Sequence, residues 1–382
     1  MATPDFSLNL PYITADLPGI GGQLRAEPDH FVVEELPLYE PQGDGPHLYV
    51  NVTKVGLTTK DVQKQLEQLF GLRSGDVGFA GMKDKQARTT QTFSIPIELA
   101  NEQNVDAITR RLEQNLPVTL NWVKRHRNKL KTGHLLGNRF HITVTDSPLE
   151  PTQMLANAQA IVQRLRTDGA PNFFGVQRFG DRGHNIERGY ALLTGSQRIK
   201  DRWLRRFLVS SYQSYLCNCY LARRLATVGF ARLLLGDVAK KYKTGGIFTV
   251  EDVAAEQPRY AAQEISFTAP LFGAKMRSAE AEAGQLEEAI LAESGVSIKQ
   301  FQAARMDGTR RLGRLLVPDL AVQIDSAALQ ASGQTDTSVT ENPAKGSMIV
   351  TFTLPKGAFA TTIMREVMKV DMLNAPNEDL DE

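Results

Sequence analysis

Apolar positions along this chain change their spacing several times, and each change predicts a different element. HFVVEEL (30–36) and HLYVNV (47–52) alternate like strands and are separated by the turn-rich EPQGDGP (40–46). In LTTKDVQKQLEQLFG the apolar residues Val62, Leu66, Leu69 and Phe70 recur at helical spacing, with Thr58 or Thr59 as cap and Gly71 as stop. A short link, GFAGMKDKQAR, leads into QTFSIPI, another alternating stretch, and a helical pattern follows over roughly 102–114. The basic segment from Trp122 ends in a strand with Phe140, Ile142 and Val144 on one face. From Pro151 the period lengthens: Met154, Leu155, Ala158, Ile161, Val162 and Leu165 form a helical stripe that ends at Gly169. Helical patterns then dominate, notably 203–229 and 281–295, until strand character returns near Val317-Pro318. Met348, Val350, Phe352 and Leu354 alternate into a Pro-Lys-Gly turn followed by a helix. The pattern is α+β: strand-containing chain at both ends, with a mainly helical block inserted between.

Composition narrows the class. With 382 residues, 42% apolar and 23% charged, the chain has the make-up of a globular protein of two or three domains, and no apolar run is long enough for a bilayer. The start, MATPDFSLNLPYITADLPG, lacks the basic and apolar regions of a secretory signal, so the cytoplasm is the expected compartment. Cys217 and Cys219, two apart on a predicted helix, point in different directions and are expected to be packed thiols. The total charge is +1, yet residues 121–250 hold 22 Lys and Arg against 7 Asp and Glu. A basic block on an otherwise acidic chain is the footprint of a polyanionic partner.

Common chemistries can be set aside by motif. There is no Gly-Lys-Ser/Thr phosphate loop, the GIGG near residue 20 lacks its flanking strand and helix, the six histidines never fall at HExxH spacing, and no GxSxG elbow occurs. No metal site and no nucleotide cofactor are expected. What remains is Asp84 between Lys83 and Lys85. Aspartate carboxyls titrate at about 3.9, so such a group is ionised at neutral pH with no helper base and can attack carbon directly. A solvated Lys-Asp-Lys turn is the more frequent explanation of such a tripeptide, and the local pattern leaves both readings open.

The stretch resembles the active-site motif of the TruD family of tRNA pseudouridine synthases, roughly G-x-K-D-K/R-x-A-x-T-x-Q, through Gly81, Lys83, Asp84, Lys85, Ala87, Thr89 and Gln91. Four further blocks occur in family order: EPDHFVVEELP (27–37), RHRNKLKTGHLLGNRFHI (125–142), PNFFGVQRFG (171–180) and LPKGAFATTIMRE (354–366). The resemblance implies a cofactor-independent isomerase that converts uridine to pseudouridine at position 13 of tRNA. It implies a discontinuous catalytic domain, 1–168 and 317–382, interrupted by an insertion over 169–316. By match to the family's motifs Asp84 is the nucleophile, and Phe31, Phe359 and Asn138 hold the target nucleotide, with Lys83 beside them. A flipped base needs such aromatic and amide contacts. Lys85, Lys124, Arg125, Arg127, Lys129, Lys131 and Arg178 are candidates for phosphate contacts, since spaced cations carry no sequence code. Most aromatics of PNFFGVQRFG are expected to pack between domains. Two positions depart from the family pattern: Leu136 stands where a lysine is frequent and Gln86 where a histidine is. The competing readings are a non-catalytic tRNA-binding or RNA-folding protein, and a metal-dependent nuclease, for which the single acid at Asp84 is too few. A monomer is expected.

Overall fold

The computed structural model describes residues 6, 10–97, 104–180, 183–325 and 346–370. In chain order these form β1 (Gln23–Leu24), β2 (Phe31–Pro37), β3 (His47–Lys54), α1 (Thr59–Phe70), β4 (Gly78–Phe79), β5 (Arg88–Pro96), α2 (Val105–Asn115), β6 (Thr119–His126), β7 (Leu135–Ser147) and α3 (Pro151–Asp168). There follow β8 (Ala170–Pro171), α4 (His184–Thr194), α5 (Arg202–Thr227), β9 (Val238–Lys241), β10 (Ile247–Thr249), α6 (Val253–Ala261), β11 (Ile265–Leu271), α7 (Ala281–Glu293), α8 (Ile298–Ala303), β12 (Thr309–Leu312) and β13 (Arg314–Leu315). The last elements are β14 (Ala321–Ile324), β15 (Gly346–Pro355) and a C-terminal helix, α9 (Ala360–Met368). Two compact units result: Ile20–Gln159 with Asp319–Gly357, and Ala160–Pro318 with the described residues before 20 and after 357.

The first unit is built on one mixed sheet, ordered β14-β15-β7-β2-β5-β3-β6, with β1 on β7 and β4 on β5. Only β2 and β5 run parallel. Strand β3 lies between β5 and β6 and is buried along most of its length, which accounts for its nearly continuous apolar run. Its residues Leu48, Val50 and Val52 meet Phe93 and Ile95 of β5 under Val62, Leu66 and Phe70 of α1 and Ile108 and Leu112 of α2. Helix α1 begins at a reciprocal cap between Thr58 and Asp61 and stops at Gly71, whose φ of 65° is left-handed.

The register brings the other half of that face together. Asn138 lies opposite both Glu35 and Leu354, Phe140 opposite both Val33 and Phe352, and Ile142 opposite Phe31. Cross-strand partners project to the same side. Gly137 is needed for this pairing, because a Cβ there would lie 2.0 Å from the carbonyl oxygen of Leu354.

The second unit centres on α5, whose residues Val209, Tyr212, Leu216, Tyr220 and Leu221 are buried with Phe267 of β11. Between 169 and 316 the helices predominate, but β9, β10, β11 and β12 also form a four-stranded sheet. The sequence reading missed it because ISFTAPL of β11 is buried at six of its seven positions and shows no alternation. The units also divide the chain differently from the expected 1–168, 169–316 and 317–382. Helix α9 and residues 13–14 go with the second unit, where Glu366 accepts hydrogen bonds from the backbone N–H groups of Ile13 and Thr14 at 3.1 and 3.2 Å.

Candidate active site

Asp84 sits in the link between β4 and β5, in the first unit. The link is pinned from several sides. Gly78 of β4, just before it, passes so near the β6–β7 connection that a Cβ would lie 2.1 Å from the Leu130 carbonyl oxygen, which requires glycine there. The Lys83 N–H donates to Thr59 Oγ1 at 2.8 Å, and that hydroxyl donates to Gln91 Oε1 at 2.9 Å. Buried Lys54 donates from Nζ to the backbone oxygens of Leu57 and Asp84, and the Gly56 N–H donates to the oxygen of Lys85 at 3.0 Å.

The carboxylate itself is held at both oxygens. Its Oδ2 lies 3.0 Å from an Arg25 guanidinium nitrogen, and its Oδ1 accepts the Gln86 N–H at 3.0 Å, while the side chain stays 27% exposed. Arg25 has a left-handed φ of 62°, uncommon for a residue with a side chain, and its guanidinium carbon lies 4.4 Å from the centre of the Phe31 ring. One arginine therefore couples the acid to an aromatic face. Phe31 is buried and meets Phe140 edge-on at 6.3 Å, and Phe140 stacks on Phe352 at 5.2 Å.

Asn138 is partly exposed, and its Oδ1 is buried with no hydrogen-bond partner among the described residues. The buried Thr89 Oγ1 is likewise without a partner. Unsatisfied buried acceptors are uncommon in folded proteins and mark places where a ligand or water is expected. Asn138 lies on β7 and Thr89 on β5.

Lys83 differs from the sequence expectation. Its ammonium is turned inward, 2.8 Å from Glu35 Oε2 with both side chains 4% exposed, and Glu35 also accepts the Thr92 N–H at 3.2 Å. It ties the link to β2. Lys85 is exposed. Of the basic run, Lys124 is exposed on the outermost strand β6 with its ammonium 5.4 Å from the Trp122 ring, and Lys131 is exposed. Arg127 is engaged by Asp44 at 2.9 Å, Lys129 donates to the Gly75 carbonyl, and Arg125 is half-buried. A charged edge strand also discourages strand addition by another chain, so these cations have a structural use as well.

Two predicted residues belong to the second unit. Phe359 is the residue before α9, its ring 5.9 Å from that of Phe174. Arg178 donates to Ser210 at 2.5 Å and to Ser214 at 3.4 Å. Among the described residues no three His, Cys, Asp or Glu are placed to hold a metal, and no helix is long and apolar enough to cross a membrane. Burial pushes the Cys217 thiol up to about 12, so it stays protonated at neutral pH.

The sequence reading missed Arg25 and Glu35. Both were visible as ionisable residues flanking Phe31, but their partners are 59 and 48 residues away, a distance only the fold closes.

The mixed sheet with helices matches the fold of a solved pseudouridine synthase, which gives the chain its class, an α+β pseudouridine synthase. The family model of tRNA pseudouridine synthase D (TruD) matches residues 7–199 and 193–367, and the chain belongs to this family. It is similar to tRNA pseudouridine synthase D of a Thermus thermophilus strain, with 42% identity over 95% of this chain and 93% of the relative. Against that of Anaeromyxobacter dehalogenans the identity is 41%, over 97% and 99% of the two chains. The fold matches a TruD crystal structure from Methanosarcina mazei with a TM-score of 0.76 at 26% identity, covering 97% of this chain and 99% of that one.

Proposed function

We propose that Asp84 is the nucleophile with which this pseudouridine synthase isomerises uridine 13 of tRNA. The protein is an isomerase of the TruD family. The reaction breaks the bond between ribose and uracil N1, turns the base, and rejoins it through C5. One proton leaves C5 and one is gained at N1, so substrate and product have the same mass and no oxidant or reductant is called for. An ionised carboxylate forms and later releases the covalent bond that this exchange needs. Arg25 orients it and offsets its charge. The base, out of its stack, meets Phe31, and Asn138 offers an amide to its edge. Lys85, Lys124, Arg125 and Lys131 meet backbone phosphates, with 169–316 acting as an insertion in the catalytic chain. The protein works as a monomer in the cytoplasm.

The observation that carries this reading is the Asp84 carboxylate, fixed at both oxygens yet 27% exposed. Asp84→Asn tests it. The variant should form no pseudouridine on bulk tRNA, read as carbodiimide-dependent reverse-transcription stops, while its tRNA affinity stays within a few-fold of wild type. Conversion by the variant would remove Asp84 from the chemistry. Binding without conversion by the wild type would leave only an RNA-binding role.

A further inference from the structure

The amino-terminal turn of α5 carries a surface that the proposed chemistry does not use. Trp203 is 70% exposed, the most exposed large hydrophobic residue among those described. One face of its indole is stacked on Phe207, one helical turn later, with ring centres 5.4 Å apart and planes within 6°. Phe207 in turn lies 5.2 Å from the guanidinium carbon of Arg178, which the hydroxyls of Ser210 and Ser214 hold along the same helix face. An aromatic pair backed by a guanidinium is thus pre-assembled, with the outer indole face open.

The charge around it is mainly positive. Arg202, Arg205 and Arg206 are exposed, and none of them pairs with a described carboxylate. The one acid of this turn, Asp201, accepts the Leu204 N–H at 2.8 Å as the helix cap. Burial draws the pKa of Arg178 down, and this guanidinium backs Phe207 from within the helix face. An indole stacked on one side only offers its other face to a planar ligand, and exposed arginines beside it select a polyanion over a neutral protein face.

We propose that Trp203, backed by Phe207 and Arg178, is a stacking platform for an unpaired nucleotide of the tRNA, whose phosphates are met by Arg202, Arg205 and Arg206. The proposal rests on tRNA being the substrate. Any base offers a π-face, so the platform adds affinity without reading sequence.

The chain has two tryptophans, Trp122 and Trp203, so Trp122→Phe in the Asp84→Asn background leaves one reporter. Titration with an unmodified tRNA transcript should quench its emission to saturation. Trp203→Ala should weaken tRNA binding by about 5- to 100-fold. Arg205→Gln with Arg206→Gln should lower the slope of log affinity against log salt by roughly 0.7 to 0.9 for each phosphate that the variant no longer neutralises. Unchanged emission at saturating tRNA, or unchanged affinity of Trp203→Ala, overturns the platform. So does a wild-type dimer that Trp203→Ala dissolves with no change in tRNA binding, which would give this face to a second copy. If the wild type converts tRNA while Trp203 stays silent, only the platform falls. If the wild type binds no tRNA, the substrate reading falls with it.

Discussion

Two arginine–aspartate pairs, one in each unit, show the same chemistry put to opposite uses. Asp237 receives Arg224 through both oxygens at 2.7 and 2.8 Å and also the Leu234 N–H at 2.7 Å, and the pair is 0% and 1% exposed. Asp84 receives one donor per oxygen, each at 3.0 Å, and the pair is 26% and 27% exposed. The first carboxylate is saturated and shut away, so it can only hold the β9 turn to α5. The second keeps open lone pairs and a route to solvent, which an attacking oxygen requires. Distance to an arginine therefore says little about role; the number of donors and the residual exposure decide it.

The largest effect should come from breaking the closed pair. Arg224→Met leaves Asp237 buried and uncompensated, which should cost about 3–5 kcal/mol of stability. Urea unfolding would show it as a lowered midpoint. A loss below about 1 kcal/mol would mean water reaches this pair and would erase the contrast.

Arg25→Met should behave the other way round. Pseudouridine formation should fall about 100-fold, the scale expected when a reacting group is misplaced, with the unfolding midpoint nearly unchanged. Arg25→Lys should recover part of the rate, because an ammonium restores the charge without the planar contact to Phe31. A large stability loss with normal turnover would make Arg25 a structural residue like Arg224.

These pairs also show what could be read before folding. The α1 helix was legible to its cap and stop, since Thr58, Asp61 and Gly71 act on neighbours within the same few residues. The β7 and β15 strands were legible through Phe140, Ile142, Val350 and Phe352, whose alternation reports burial on one side. The motif around Asp84 was legible as a family resemblance, and its isolation among cations as a chemical oddity. The inward turn of Lys83 was not legible, because its neighbour Glu35 arrives through the β2–β5 pairing and nothing in Lys-Asp-Lys says which lysine turns inward. The β11 sheet was hidden because a strand buried on both faces and a buried helix have similar composition. Local signals were readable; partners brought by long-range pairing were not.

Asn138 sharpens the contrast between holding and poised groups. Its Oδ1 lacks a partner among the described residues, so Asn138→Leu removes an unsatisfied acceptor and should leave stability level or slightly higher. The same change should raise KM for tRNA by about 10-fold, the worth of one hydrogen bond to a desolvated base. Lost stability with unaltered KM would place Asn138 among the structural residues.

The smallest effect belongs to a third carboxylate, Asp61, which neither closes a core nor faces a substrate. Its Oδ2 accepts the Thr58 N–H at 2.8 Å, and chiefly this bond lowers its pKa below the ordinary carboxyl value. The folded state thus releases the proton more readily than the unfolded chain does. The stabilisation is present in full above the unfolded pKa of about 3.9 and is lost as pH falls through the lower folded value. Asp61→Asn keeps an acceptor but cannot titrate. The stability difference between wild type and variant should accordingly be constant above about pH 5 and shrink steadily below about pH 4. A difference that persists into acid would show that the cap acts through shape alone and that charge adds nothing to it.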